Sequence, residues 1–131
     1  MTRTVYKSNI MKHQDLLETR DRLRERKKAH LEILTQEAKR ISAEAVKMGA
    51  RKIILFGSMV RDTAGLSSDL DLLIVMDSDL DFIERTADIF RRLKPEVGAD
   101  IMVYTPEELE RMKTNPFIRR IITEGRVLYE T

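Results

Sequence analysis

The side chains of this 131-residue chain best suited to chemistry on phosphate are a pair of aspartates, Asp69 and Asp71, with a glycine–serine step upstream at Gly57-Ser58. Alternate residues of a strand share a face. At ~3.3 Å rise per residue, the two Cα atoms of Asp69-Leu70-Asp71 stand about 6–7 Å apart on a strand. Two carboxylates so placed suit a pair of divalent cations about 3.5–4 Å apart, the arrangement of two-metal phosphoryl chemistry. Magnesium favours such oxygen ligands. An isolated Asp-x-Asp is more often the wet face of an edge strand, so the pair needs support from elsewhere in the chain. Gly57-Ser58 supplies it. Glycine at a strand-to-helix turn lets a ligand approach the backbone, and the unpaired N–H groups of a helix start suit a phosphate.

These residues need elements to hold them. Lys52–Phe56 is an apolar, β-branched run that reads as a strand. Ser58 is the expected cap of a brief helix through about Ala64, residues 65–68 a loop, and residues 69–75 a second strand. Upstream, residues from about 10 to 48 read as one long helix. Leu31, Leu34, Ala38, Ile41, Ala45 and Met48 fall on one face of it, and Gly49 ends it. Downstream, residues 79–94 read as an amphipathic helix with Phe82, Ile83, Ala87, Phe90 and Leu93 as its apolar stripe, stopped by Pro95. Residues 97–104 read as a third strand. Thr105 and Glu108 form a capping box around Pro106. Asn115-Pro116 breaks that helix, residues 117–123 form another, and residues 127–129 read as an edge strand. The order α-β-α-β-α-β-α-α-β implies an α/β (α+β) fold, a small mixed sheet with helices packed on it and an extended N-terminal helix.

Composition narrows the function. The chain has no cysteine, so disulfides, thiolate metal sites and cysteine nucleophiles are excluded. No apolar run marks a signal peptide or a membrane span, and a cytoplasmic chain is expected. Net charge is only +2, although residues 1–28 alone carry nine Lys/Arg against four Asp/Glu. Nucleic acid is therefore not the expected partner, and residues 1–30 read as a basic helical arm before a domain at 31–131. His13 and His30 lack metal-ligand spacing and read as surface residues. Walker A and G-x-G-x-x-G motifs are missing.

The stretch Phe56 to Leu72 has the form Gly-Ser, ten residues, Asp-x-Asp. It resembles the signature of the DNA polymerase beta-like nucleotidyltransferase superfamily, and in its brevity the minimal nucleotidyltransferases. The resemblance is specific over residues 53–76 and looser to Tyr129. It implies a polymerase beta-like fold and a site in which Gly57, Ser58, Arg61 and Ser68 bind the nucleotide. Asp69 and Asp71 would ligate two magnesium ions, and a third carboxylate on a later strand, Asp100, would ligate metal and help deprotonate the attacking hydroxyl. Met59 and Asp62 depart from the pattern, where a basic residue and a glycine are frequent. By the same resemblance ATP is the expected substrate. The expected partner is a HEPN-domain ribonuclease toxin, with this chain as the antitoxin that adenylylates one of its tyrosines. The alternative is a module that binds nucleotide and masks its partner without turnover. Homo- or hetero-oligomers fit either reading.

Overall fold

The computed structural model describes residues 12–131. It begins with α1 (His13–Lys47), followed by β1 (Lys52–Phe56), a 3-10 turn (Gly57–Met59), β2 (Leu70–Val75), α2 (Phe82–Leu93), β3 (Ala99–Tyr104), α3 (Pro106–Arg111), α4 (Pro116–Glu124) and β4 (Arg126–Glu130). The expected helix start near residue 10 and the first third of the basic arm lie outside the described residues.

The strands form one mixed sheet in the order β3-β2-β1-β4. β1 runs antiparallel to β2 and to β4, whereas β2 and β3 are parallel and joined through α2. Both central strands are apolar on both faces because both faces are covered. On one face, Leu34, Ala38, Ile41 and Ala45 of α1 and Ile89 and Leu93 of α2 pack on Ile53, Leu55, Leu70, Leu72, Ile74, Ile101 and Val103. On the other, Ile118 and Ile121 of α4 pack on Ile54, Phe56, Leu73 and Val75. The second cover is short, and it leaves one end of that face open.

The α1 stripe is the one its spacing predicts, from Leu34 to Ala45. Residues 12–29 are exposed throughout, including Leu16, Leu17 and Leu23 at 46%, 44% and 46%. In α2 the predicted stripe holds at Leu93 and partly at Phe82 but fails at its other positions. Ile83 is 75% exposed, and Ala87 and Phe90 also face outward. The inward positions are Arg85, Ile89 and Leu93, with Asp81 capping the helix through Glu84 N–H at 2.9 Å. Arg85 can point inward because both of its terminal nitrogens find acceptors, although its Nε is buried without a partner. It donates to Glu108 Oε1 at 2.6 Å, to Leu80 O at 2.6 Å and to Val103 O at 2.8 Å. Glu108 also closes the expected capping box on Thr105, so one carboxylate caps α3 and neutralises a buried arginine.

Strand and helix boundaries differ modestly from expectation. The brief helix after Ser58 is a single 3-10 turn, β2 begins at Leu70 rather than Asp69, and β3 begins at Ala99 rather than Val97.

Candidate active site

Four strand ends meet at the open end of the sheet. Phe56, the last residue of β1, is the register partner of Asp71 on β2, and Asp71 is the partner of Asp100 on β3. Register partners in adjacent strands project to the same face, so the Asp71 and Asp100 side chains stand side by side where helix cover stops. Asp71 is half-buried; Asp100 and Asp69 are exposed.

Glycine shapes this corner twice. Gly57 has φ +78°, a left-handed conformation that side chains resist. A Cβ there would overlap Asp71 Oδ2 and lie 3.0 Å from its Cγ. The Asp71 carboxylate thus rests in the space a side chain would have filled. Gly98, just before β3, does the same for Asp69, whose carboxylate lies against its α-carbon. Gly98 was not singled out in the sequence; its place two residues ahead of Asp100 is the signal.

The electrostatics follow from the crowding. Burial pushes the Asp71 carboxyl above the usual range, Asp100 and Asp69 push it further, and Arg61 pulls it back. Like charges this close favour the protonated form unless a cation relieves them. The donor set is all oxygen, and it fits a hard divalent ion such as magnesium better than zinc. Among the described residues, however, no three acidic or histidine side chains gather into a metal cage. The carboxylates alone are therefore an incomplete shell, as expected where substrate phosphates complete the coordination.

Ser58 does not cap a helix. Its Oγ donates to Ser68 Oγ at 3.0 Å, and Ser68 Oγ also accepts from Gly65 N–H at 2.8 Å. With two donors already pointing at it, the Ser68 hydroxyl keeps its own proton for an outside acceptor. The two halves of the motif, residues 57–58 and 68–71, are thereby tied to each other. Met59 packs on the α1 side of the core, so a basic residue is not needed there to hold the turn. Asp62 has φ +60°, which accounts for the glycine expected at that place.

His30 corrects the sequence reading. It is half-buried, and its Nε2 stands 2.8 Å from Ser68 O, linking α1 to the aspartate loop. His13 is exposed, as expected. Sequence reasoning also missed a small cleft of about 70 Å³ beside Gly57. Arg61 and Arg120 line it with Phe56 and Phe117, whose rings meet edge to face at 6.0 Å.

A glycine turn, adjacent strand-borne carboxylates and a cleft lined by Arg61 and by Arg120, the latter paired with Glu124 at 3.2 Å, are of a kind that can hold a polyphosphate. The nucleotidyltransferase domain family matches residues 31–129. The chain belongs to that family. A Methanocaldococcus jannaschii protein named as a candidate protein adenylyltransferase is 42% identical over 81 residues, covering 60% of this chain and 78% of that one. A candidate nucleotidyltransferase from Sulfolobus solfataricus superposes with TM-score 0.52 at 17% identity, over 81% of this chain and 85% of that one. It supports the fold. A chain of the MntA-HpeT toxin–antitoxin structure superposes at TM-score 0.46 and 21% identity, over 69% of this chain and 72% of that one, too loosely to bear on function. As a nucleotidyltransferase, the chain is an enzyme, and its mixed sheet with helices on both faces is the family's fold. No helix among the described residues is long and apolar enough to cross a membrane.

Proposed function

We propose that this nucleotidyltransferase moves AMP from ATP to a hydroxyl group on a partner protein, the acceptor being a tyrosine of a HEPN-type ribonuclease toxin and the chain its antitoxin. The observation that carries the transfer reaction is the corner itself: the Asp71 carboxylate seated against Gly57 and paired in register with Asp100. The protein acceptor is supported by the description of the M. jannaschii relative. The toxin rests on the motif resemblance alone.

Each residue then has a task. Asp69 and Asp71 would hold magnesium, with Asp100 as a further ligand; bound there, it would supply charge neutralisation and polarisation at the phosphates. The backbone of Gly57 and the hydroxyl of Ser68 hold the phosphates, and Ser58, donating to Ser68 Oγ, orients that hydroxyl. Arg61, lining the cleft next to Gly57, offsets the negative charge of the β- and γ-phosphates; Arg120 in the same cleft is paired with Glu124. The acceptor oxygen attacks the α-phosphorus while the bond to the bridging β-oxygen breaks. Pyrophosphate departs with that electron pair, and Asp100 takes the hydroxyl proton.

Calorimetric titration of ATP with magnesium and with EDTA tests the site. Wild type is expected to bind only with magnesium, and Asp69→Asn with Asp71→Asn to lose that binding by at least a hundredfold, about 2.7 kcal/mol. Unchanged binding by the double variant would exclude the two aspartates. Label transferred from [α-32P]ATP to a co-purified toxin then tests the acceptor. The exposed helix over residues 12–29 favours a second reading, masking through binding. A double variant that neutralises the toxin as well as wild type would select it.

A further inference from the structure

A chain of hydrogen bonds runs from the long helix into the site. His30 stands on α1 at the point where the exposed part ends: Ala29 is exposed, His30 and Leu31 are half-buried, and Leu34 is buried. Its Nε2 lies 2.8 Å from the carbonyl oxygen of Ser68, 38 residues away. A carbonyl only accepts, so Nε2 carries the proton. Ser68 passes the constraint on in two directions. Its Oγ holds Ser58 Oγ at 3.0 Å and Gly65 N–H at 2.8 Å, and its backbone leads directly into Asp69.

The segment that needs holding is long. Residues 60–69 connect the glycine turn to β2 without a helix or strand. Its backbone ties are local: Val60 and Arg61 to Gly57 O, Thr63 to Ser58 O, and Ser68 to Gly65 O. Local turns fix the shape of a loop but not its position over the sheet. The His30 bond comes from a helix anchored in the core over the turns that follow it, from Leu34 to Ala45, so it supplies a fixed point. Catalysis and phosphate binding both depend on such placement, and an error of about 1 Å can cost ~100-fold.

We infer that His30 is a positioning residue for nucleotidyl transfer, holding Ser68, and through it Ser58 and Asp69, in place to receive the Mg·ATP complex. The inference rests on the reading of the site given above. It goes beyond the motif, because the residue lies outside the Gly-Ser…Asp-x-Asp stretch and on an element with no phosphate-binding role.

Two near-isosteric replacements separate positioning from packing. The amide nitrogen of Gln reaches as far as imidazole Nε2, whereas that of Asn falls short. His30→Gln and His30→Asn are compared with wild type in the full chain, by calorimetric affinity for ATP with magnesium and by thermal unfolding without ligand. Positioning requires that Asn weaken the affinity about tenfold while Gln keeps it within about twofold, at similar unfolding temperatures. Equal affinity for wild type, Asn and Gln overturns the inference. So does a loss in both variants that tracks their unfolding temperatures, which marks a packing role. If wild type itself fails to bind ATP with magnesium, the site reading fails and takes this inference with it.

Discussion

At the scale of single residues, the site is governed by where a Cβ is missing and where one is forced. Gly57 and Gly98 give up side chains so that Asp71 and Asp69 can lie against backbone. Asp62 shows the opposite: a side chain held at φ +60°, in the left-handed region. Asparagine and aspartate tolerate that region better than most residues, yet it still costs energy relative to glycine. Asp62 is exposed and makes no side-chain hydrogen bond among the described residues, so little would be lost by removing it. Asp62→Gly is therefore expected to stabilise the protein by about 0.5 kcal/mol, the strain relieved exceeding the extra entropy of an unfolded glycine. Asp62→Ala, which keeps a Cβ but loses aspartate's tolerance, should destabilise it. Thermal melts of the two variants check this, and equal shifts would mean that φ is not the controlling factor.

At the scale of elements, legibility followed periodicity. The α1 stripe and the capping box at Thr105 were readable because each depends on neighbours in sequence. So were Gly57-Ser58 and Asp69-x-Asp71, since strand alternation and a turn glycine are local rules. The inward face of α2 was not readable. Hydrophobic spacing pointed to Ile83, Ala87 and Phe90, but Arg85 takes the inward place because Glu108, 23 residues on, is there to meet it. Tertiary partners of this kind leave no periodic trace, and the His30–Ser68 bond escaped for the same reason. The α2–α3 link is open to a direct test. Glu108→Ala removes the carboxylate and leaves Arg85, 3% exposed, without its counter-charge. Breaking such a pair from one side costs about 3–5 kcal/mol. Glu108 is partly solvated, so a loss near 3 kcal/mol is expected in urea unfolding. A loss below about 1 kcal/mol would show that the backbone carbonyls of Leu80 and Val103 satisfy Arg85 alone.

At the scale of the whole molecule, three carboxylates set how stability responds to acid, and they do not agree in sign. Arg40 beside Glu37, and Arg85 beside Glu108, each donate to a carboxylate and hold it below the usual range. Glu37 also accepts from Glu96 N–H, and Arg40 reaches the carbonyls of Leu93 and Lys94, so this pair pins α1 to the end of α2. A depressed carboxylate contributes stability that is full above its unfolded pKa, about 4.3 for glutamate. That contribution is lost as pH falls through the lower folded value. Asp71 runs the other way: its carboxyl is raised by burial and by Asp100 and Asp69, so its ionisation costs stability, and acid removes the cost. The pairs at Glu37 and Glu108 are hydrogen-bonded and join separate elements, whereas Asp71 is half open to water, where its repulsions are screened. The pairs should dominate. Without metal, urea midpoints should hold level or rise slightly from pH 6 to about pH 4.3 as Asp71 is relieved, then fall toward pH 3, and Glu108→Gln should flatten the fall. Asp71→Asn should steepen it, because that variant lacks the group that acid relieves. A midpoint that rises toward pH 3 in wild type would mean that repulsion at the open end of the sheet outweighs both buried pairs.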